Sequence, residues 1–240
     1  MDHKVYPRMK WTSEMVSRFW DWQSQFPGVY FSNQFGEAIA RTMRSHLNGR
    51  DVILDYGCGV GYLLEHLCKY GNHVCGTDLS PESVDKVNAR LKGVDGFSGA
   101  YTVETLQNEG RKFDAIVAIE IIEHLYDDQI DGMLTQIGNM LSPDGVVVFT
   151  TPNNEDLALN MILCPATGEE FHRWQHVRTW NRETLSAYLE KSGFKVVSIV
   201  ETNFSNQMPR SPLKLAKWLI KQVIFSYPKT PHLLCAATKF

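Results

Sequence analysis

The chain has few features that would suit cross-linking, membrane crossing or a polyanionic partner. Its five cysteines, Cys58, Cys68, Cys75, Cys164 and Cys235, are odd in number, and no two have CxxC spacing. This argues against a disulfide framework or a thiolate zinc site, so reduced thiols and a cytoplasmic setting are expected. No run approaches the ~18 consecutive apolar residues of a membrane span. The opening stretch MDHKVYPRMKWTSE lacks the apolar centre of a secretion signal. The net charge is −3, so no basic excess is available to neutralise phosphates, and a nucleic-acid partner is not expected. Internal repeats and low-complexity linkers are absent too. What remains is an ordinary globular composition, 43% hydrophobic and 21% charged over 240 residues. That is enough for one α/β domain with a large core, with or without a small lid.

The pattern is helical first and alternating afterwards. SEMVSRFWDWQSQF and FGEAIARTMRSHL read as amphipathic helices divided by the turn FPGVYFSN. Strands are expected at DVILDYG, NHVCGTDLS, FDAIVAIEI and VVVFTT. Helices are expected at VGYLLEHLCKYG, at PESVDKVNARLKG with Ser80 as its cap, and through DDQIDGMLTQIGNML, with SPDG as a turn. Near-continuous apolar strands alternating with helices predict a parallel sheet covered on both faces. The alternation breaks between positions 152 and 180, a segment long enough to suggest that it builds function. Beyond it come a helix in NRETLSAYLEKSG, a strand in FKVVSIVE, a basic amphipathic helix in PLKLAKWLIKQVIF and a last strand in HLLCAATKF. The basic helix suits packing on the protein itself or on a partner subunit; the sequence also allows a homodimer and a weak peripheral membrane contact.

Two stretches carry chemistry. The first strand runs into Asp55-Tyr56-Gly57-Cys58-Gly59-Val60-Gly61, and Asp78 ends the next strand. Glycines at such a turn let a ligand lie against bare backbone, and the following acid is placed to accept ribose hydroxyls. A dinucleotide enzyme would have its third glycine at position 62, which is Tyr62 here. Asp55 suits a cationic ligand group better than a pyrophosphate.

These motifs resemble a class I S-adenosylmethionine-dependent methyltransferase. ILDYGCGVGYLLEHL is similar to that family's cofactor loop, GTDLS to its ribose acid, FDAIVAIEIIEHL to its fourth strand and MLSPDGVVVFTTPN to its fifth. The resemblance implies an α/β fold: a Rossmann-like, doubly wound, seven-stranded and mostly parallel sheet with an antiparallel last strand. It implies S-adenosyl-L-methionine as methyl donor. Asp55, Gly57, Cys58 and Gly59 would line the methionine moiety, Asp78 would hold the ribose, and Leu79 would lie against adenine. Thr102 and Val103 stand where the family often meets the adenine edge with an Asp, which this sequence lacks. The aromatic residues of positions 1–50, Phe19, Trp20, Trp22, Tyr30 and Phe31, read either as a helical lid over the site or as ordinary core and helix packing. Residues 51–240 would form the methyltransferase domain, with a substrate-side insertion at 152–180.

The second chemical stretch is EIIEHL, at the end of the fourth strand. Glu120 lies where doubly wound folds bind ligands, which makes it a candidate for the cofactor side, for catalysis or for both. Glu-x-x-Glu-His with a later His resembles two metal-using branches, the small-RNA 3′-terminal 2′-O-methyltransferases and the quinone-biosynthesis O-methyltransferases. That resemblance would make Glu120, Glu123, His124 and His176 ligands of Mg²⁺ or Mn²⁺. Without metal, Glu120, His124 or His176 could position an acceptor hydroxyl or take its proton; helix support and packing are the third reading. His172 lies four residues before His176, but HVRTW reads as extended, so these two rings need not converge. The expected function is O-methylation of a small acceptor such as a sugar, a quinone-like phenol or a natural-product hydroxyl. The alternatives are metal-dependent 2′-O-methylation of an RNA end and a non-catalytic cofactor-binding module.

Overall fold

A computed structural model describes residues 5–206 and 230–240. The basic segment PLKLAKWLIKQVIF lies outside the described residues. Among the described residues, no helix is long and apolar enough to cross a membrane.

Seven strands form one sheet in the order β3-β2-β1-β4-β5-β9-β8. These are β1 (Val52–Tyr56), β2 (His73–Thr77), β3 (Phe97–Tyr101), β4 (Phe113–Ile119), β5 (Leu141–Pro152), β8 (Phe194–Thr202) and β9 (His232–Lys239). β9 runs antiparallel to both β5 and β8, whereas the pairings among β1 to β5 are parallel. The seven-stranded sheet with its antiparallel last strand is as expected. β3 does not stand out in the residue pattern because FSGAY shows no apolar alternation and carries one buried position, Ala100.

The pleat explains why the central strands read as continuous apolar runs. Alternate residues face opposite layers, and both layers are covered. Leu54, Ile116, Ala118, Val147 and Phe149 pack against α6 (Val103–Asn108), α7 (Asp127–Met140) and α8 (Arg182–Lys191). Ile53, Ala115, Val117 and Val148 pack against α2 (Phe31–Thr42), α3 (Arg44–Leu47), α4 (Leu64–Leu67) and α5 (Pro81–Arg90). Caps mark several helix starts: Ser80 Oγ accepts from Ser83 N, Thr102 Oγ1 from Thr105 N, and Asn181 Oδ1 from Thr184 N.

Two local expectations need correction. The helix expected over VGYLLEHLCKYG is only the single turn of α4. Gly59 and Gly61 both take positive φ, 53° and 80°, which keeps the chain in a loop until Leu63. The SPDG turn is absorbed into β5, where Pro143 and Asp144 are exposed and the β4 pairing jumps from Phe113↔Leu141 to Ala115↔Val146.

The segment 152–180 adds a small hairpin, β6 (Met161–Leu163) against β7 (Glu170–His172). The chain start is tied to it: Met9 N donates to Glu170 O, and Glu170 N to Pro7 O, each at 2.9 Å. α1 (Ser13–Gln23), capped by Thr12, follows.

Candidate active site

The C-terminal ends of β1 and β2 form a tight cradle. The amides of Gly57 and Cys58 both donate to Thr77 O, at 2.8 and 2.9 Å, and Gly59 N donates to Asp78 Oδ2 at 2.9 Å. The other Asp78 oxygen accepts from Ser80 N. Gly57 has φ 72°, and a side chain added there would come within 2.5 Å of Ile121 Cδ1. Only glycine satisfies both constraints. Asp55 is buried at the end of β1, and its Oδ2 has no hydrogen-bond partner. Burial, reinforced by the charge of Asp78, pushes its carboxyl up to about 8. Asp78 is also raised, mainly by burial, against the opposing pull of its backbone donors. Thr102 caps α6, Val103 is buried and Leu79 is almost fully exposed.

The ends of β4 and β5 carry the second half. Glu120 follows β4 with φ 52°. Its Oε1 accepts from Thr150 Oγ1 at 2.8 Å, and its Oε2 lies 3.4 Å from His232 Nδ1. Glu123 is buried; Thr151 Oγ1 donates to its Oε2 at 3.0 Å, while Oε1 is left without a hydrogen bond. Burial, then the charge of Glu120, raises its carboxyl well above the usual range. His124 Nδ1 faces the Gln175 carbonyl at 3.4 Å, and its Nε2 is 3.9 Å from Glu123 Oε1. Because a carbonyl only accepts, the ring proton sits on Nδ1. Burial and the neighbouring His176 lower His124 to about 3, so the ring is neutral.

The irregular segment then folds back. Gln175 N donates to His172 O, and Gln175 takes φ 62°, so a turn rather than a helix stacks His172 on His176 with centroids 4.5 Å apart. The two rings do converge. His176 also meets the His124 ring at 4.9 Å, and Val177 N donates to Glu123 O. Ligand atoms of Glu123, His124 and His176 lie within 4.8 Å of one another, and so do those of Glu155, His172 and His176. Of the residues singled out in EIIEHL, Glu123 and His124 thus join His176, while the Glu120 carboxylate is engaged by Thr150 and His232.

Glu155, Gln175 and His232 are additions that pattern reading does not supply, and His172 gains a close partner. Glu155 bonds His176 Nδ1 and lies 3.4 Å from His172 Nε2. Its carboxyl is lowered overall: burial opposes ionisation, but the bond to His176 and the adjacent imidazoles outweigh it. His172 itself is lowered to about 4, by burial and then by His176, so at neutral pH it contributes an N–H and no charge. One available signal was position, since an acid just past a parallel strand's carboxyl end stands where such sheets bind ligands. Among the described residues, the non-glycine residues with positive φ are Glu120, Asn154 and Gln175. All three lie in this region, where backbone strain commonly accompanies function.

The N-terminal helices reach both halves. Trp20 Nε1 donates to Gln175 Oε1 at 3.1 Å, and its ring meets His124 edge-on at 5.1 Å. A side chain added at Gly59 would meet the Tyr30 ring at 3.5 Å.

The family model described as a methyltransferase domain matches residues 30–199. The chain belongs to that family, as a class I S-adenosylmethionine-dependent methyltransferase. A ubiquinone biosynthesis O-methyltransferase of Sinorhizobium fredii is 29% identical over 202 residues, covering 77% of this chain and 80% of that one. A protein of the same description from Chelativorans sp. is 30% identical over 174 residues, covering 68% and 67%. The Brucella anthropi counterpart is 31% identical over 153 residues, and there the match spans 60% of each chain. Among solved structures, an S-adenosylmethionine-dependent methyltransferase from Clostridium acetobutylicum superposes with a TM-score of 0.61 at 16% identity, covering 93% of this chain and 98% of that one. The DhpI–SAH complex does so at 0.62 and 16%, covering 93% and 94%; these two likenesses concern the fold.

Proposed function

We propose that the protein O-methylates a small aromatic or otherwise acidic hydroxyl at the ends of β4 and β5. One observation carries this reading. Glu123, His124 and His176 gather a buried carboxylate oxygen and two half-buried ring nitrogens beside Ile121, the residue that walls the glycine cradle. The relatives named for ubiquinone O-methylation favour a phenol-like acceptor over a sugar.

The cofactor side would comprise Asp55, Gly57, Cys58, Gly59, Asp78, Leu79, Thr102 and Val103, with Glu120 at its border. Asp55 has an unpartnered buried oxygen, which fits a cationic amino group. When bound, S-adenosylmethionine supplies an electrophilic methyl carbon. The chain's own work is to align the acceptor, exclude water and take the hydroxyl proton. His124 and His176 are the groups for that proton, and Glu120 positions the acceptor. Trp20 and Tyr30 belong to an N-terminal lid that closes the site from water.

The same trio fits a divalent cation. Glu123 Oε1 is an orphaned buried oxygen, and His124 keeps a lone pair on Nε2. Glu123, His124 and His176 would hold Mg²⁺ or Mn²⁺, which would lower the acceptor hydroxyl's pKa. The test is a methyl-acceptor screen with labelled cofactor over phenols, catechols and sugars, with and without EDTA and restored Mn²⁺ or Mg²⁺. Transfer to a phenolic oxygen that stops with EDTA and returns with metal is expected. Transfer only to nitrogen or carbon would overturn the acceptor class, and indifference to chelation would overturn the metal reading.

A further inference from the structure

Half-buried Glu155 and buried His172 are polar groups to which the proposed reaction gives no part. Together they lead by a 3.4 Å contact and then a hydrogen bond to His176. His172 Nδ1 accepts from the backbone N–H groups of Trp174, at 3.4 Å, and His176, at 3.3 Å. A nitrogen that accepts twice carries no proton, so the neutral ring bears its hydrogen on Nε2. That nitrogen is fully buried and lies 3.4 Å from Glu155 Oε1, close enough for the carboxylate to attract its N–H but short of a hydrogen bond. The second Glu155 oxygen, Oε2, is bonded to His176 Nδ1.

A carboxylate can only accept, so the proton of a neutral His176 ring stands on Nδ1 and its lone pair on Nε2. From this network we infer that Glu155, held by His172, is a positioning residue that fixes His176 in the Nδ1–H tautomer and presents Nε2 to the acceptor end. The inference rests on the reading of His176 as an acceptor-side group, and it holds whether that nitrogen takes a proton or binds a cation. A histidine that binds metal commonly donates its other N–H to a carboxylate. The network also removes His172 from the candidate ligands, since one of its nitrogens is occupied as an acceptor and the other carries the proton. The trio Glu155, His172 and His176 is therefore a relay of orientation and not a second cation site.

Glu155→Gln tests this with almost no change in shape. The His172 N–H would keep the new amide's oxygen, so the amide NH₂ would face His176 and donate to Nδ1. The His176 proton must then move to Nε2. Nitrogen-15 spectra of histidine-labelled protein at alkaline pH, with His176 assigned from the His176→Ala variant, should show Nδ1–H in the natural protein and Nε2–H in Glu155→Gln. Turnover should fall by about 10²- to 10⁴-fold, the scale of a wrongly held tautomer, while the cofactor Kd stays unchanged. Adding His172→Phe keeps a stacked ring but removes the donor. The glutamine can then rotate its oxygen toward His176, so the double variant should regain activity and the Nδ1–H signal. Rescue by a second substitution is not what a packing defect would give. An Nε2–H ring in the natural protein, or a tautomer indifferent to Glu155→Gln, would overturn the inference, even if the double variant failed to fold. A switched tautomer with undiminished turnover would uphold it and overturn instead the acceptor-side reading of His176.

Discussion

The two ends of the proposed site are built differently. Most of the proposed cofactor end lies in one stretch, β1–loop–α4–β2 from Asp55 to Asp78, held by backbone N–H bonds to Thr77 and Asp78. The acceptor end draws Glu120 to His124 from β4, Thr150 to Glu155 from β5 and beyond, His172 to Gln175 and His176 from the irregular segment, and His232 from β9. Local geometry places the first set. The second depends on long-range contacts, and its side chains constrain one another, so a change at one member is felt by the others.

The sharpest way to break this comparison is to lose one end and keep the other. His176→Ala and Glu123→Ala are each expected to lower kcat by about 10²- to 10⁴-fold. The cofactor Kd, followed by calorimetry, should move less than about twofold; a parallel loss of cofactor affinity would mean that the ends are not separable. Asp78→Ala should do the converse. It removes an acceptor worth about 1.5–3 kcal/mol, so affinity should weaken roughly 10- to 100-fold while turnover at saturating cofactor largely persists.

A pH series sharpens the cofactor end further. Asp55 is pushed up to about 8 in the free protein, yet it can pair with a cation only when ionised. Cofactor affinity should therefore fall as pH drops below about 8, by up to about tenfold per unit, with a proton released on binding. Calorimetry in buffers of different ionisation enthalpy would reveal that proton, and an affinity flat from pH 8 to 6 would exclude the Asp55 pairing.

A stability effect belongs to the acceptor end. His124 and His172 are lowered to about 3 and about 4 in the fold, against about 6.5 unfolded. Between those limits the unfolded chain binds more protons. Stability is thus full above about 6.5 and is lost as pH falls, by at most about 1.4 kcal/mol per unit for each ring. Asp55 and Glu123, raised by burial, act in the opposite sense over the same range, so the ring's share is read by difference: between pH 7 and 5 the urea midpoint of His172→Phe should fall less, or rise more, than that of the natural protein.

The same contrast governs what the sequence discloses. β1, β4 and β5 are legible because both faces of each strand are buried, and the glycine turn with Asp78 because its parts lie close together in the chain. β3 is not, since FSGAY has no alternation to detect. In EIIEHL the residue types announce chemistry, but the partners of each do not. Glu120 turns to Thr150 and His232, residues remote in sequence, while Glu123 and His124 meet His176. The approach of His172 to His176 depends on one left-handed residue, Gln175, whose side chain carries no signal for that conformation. Glu155 has only its place just past β5 to signal it; its partners His172 and His176 are set by the fold.

The contact between Gly57 and Ile121 gives this division a limit. The floor of one compartment is the ceiling of the other, so altering acceptor preference at position 121 also presses on the donor's seat. A bulkier residue there would register first as a defect in donor binding, and selection for a larger acceptor would find its easiest path around that shared partition, through the hairpin and the N-terminal helices.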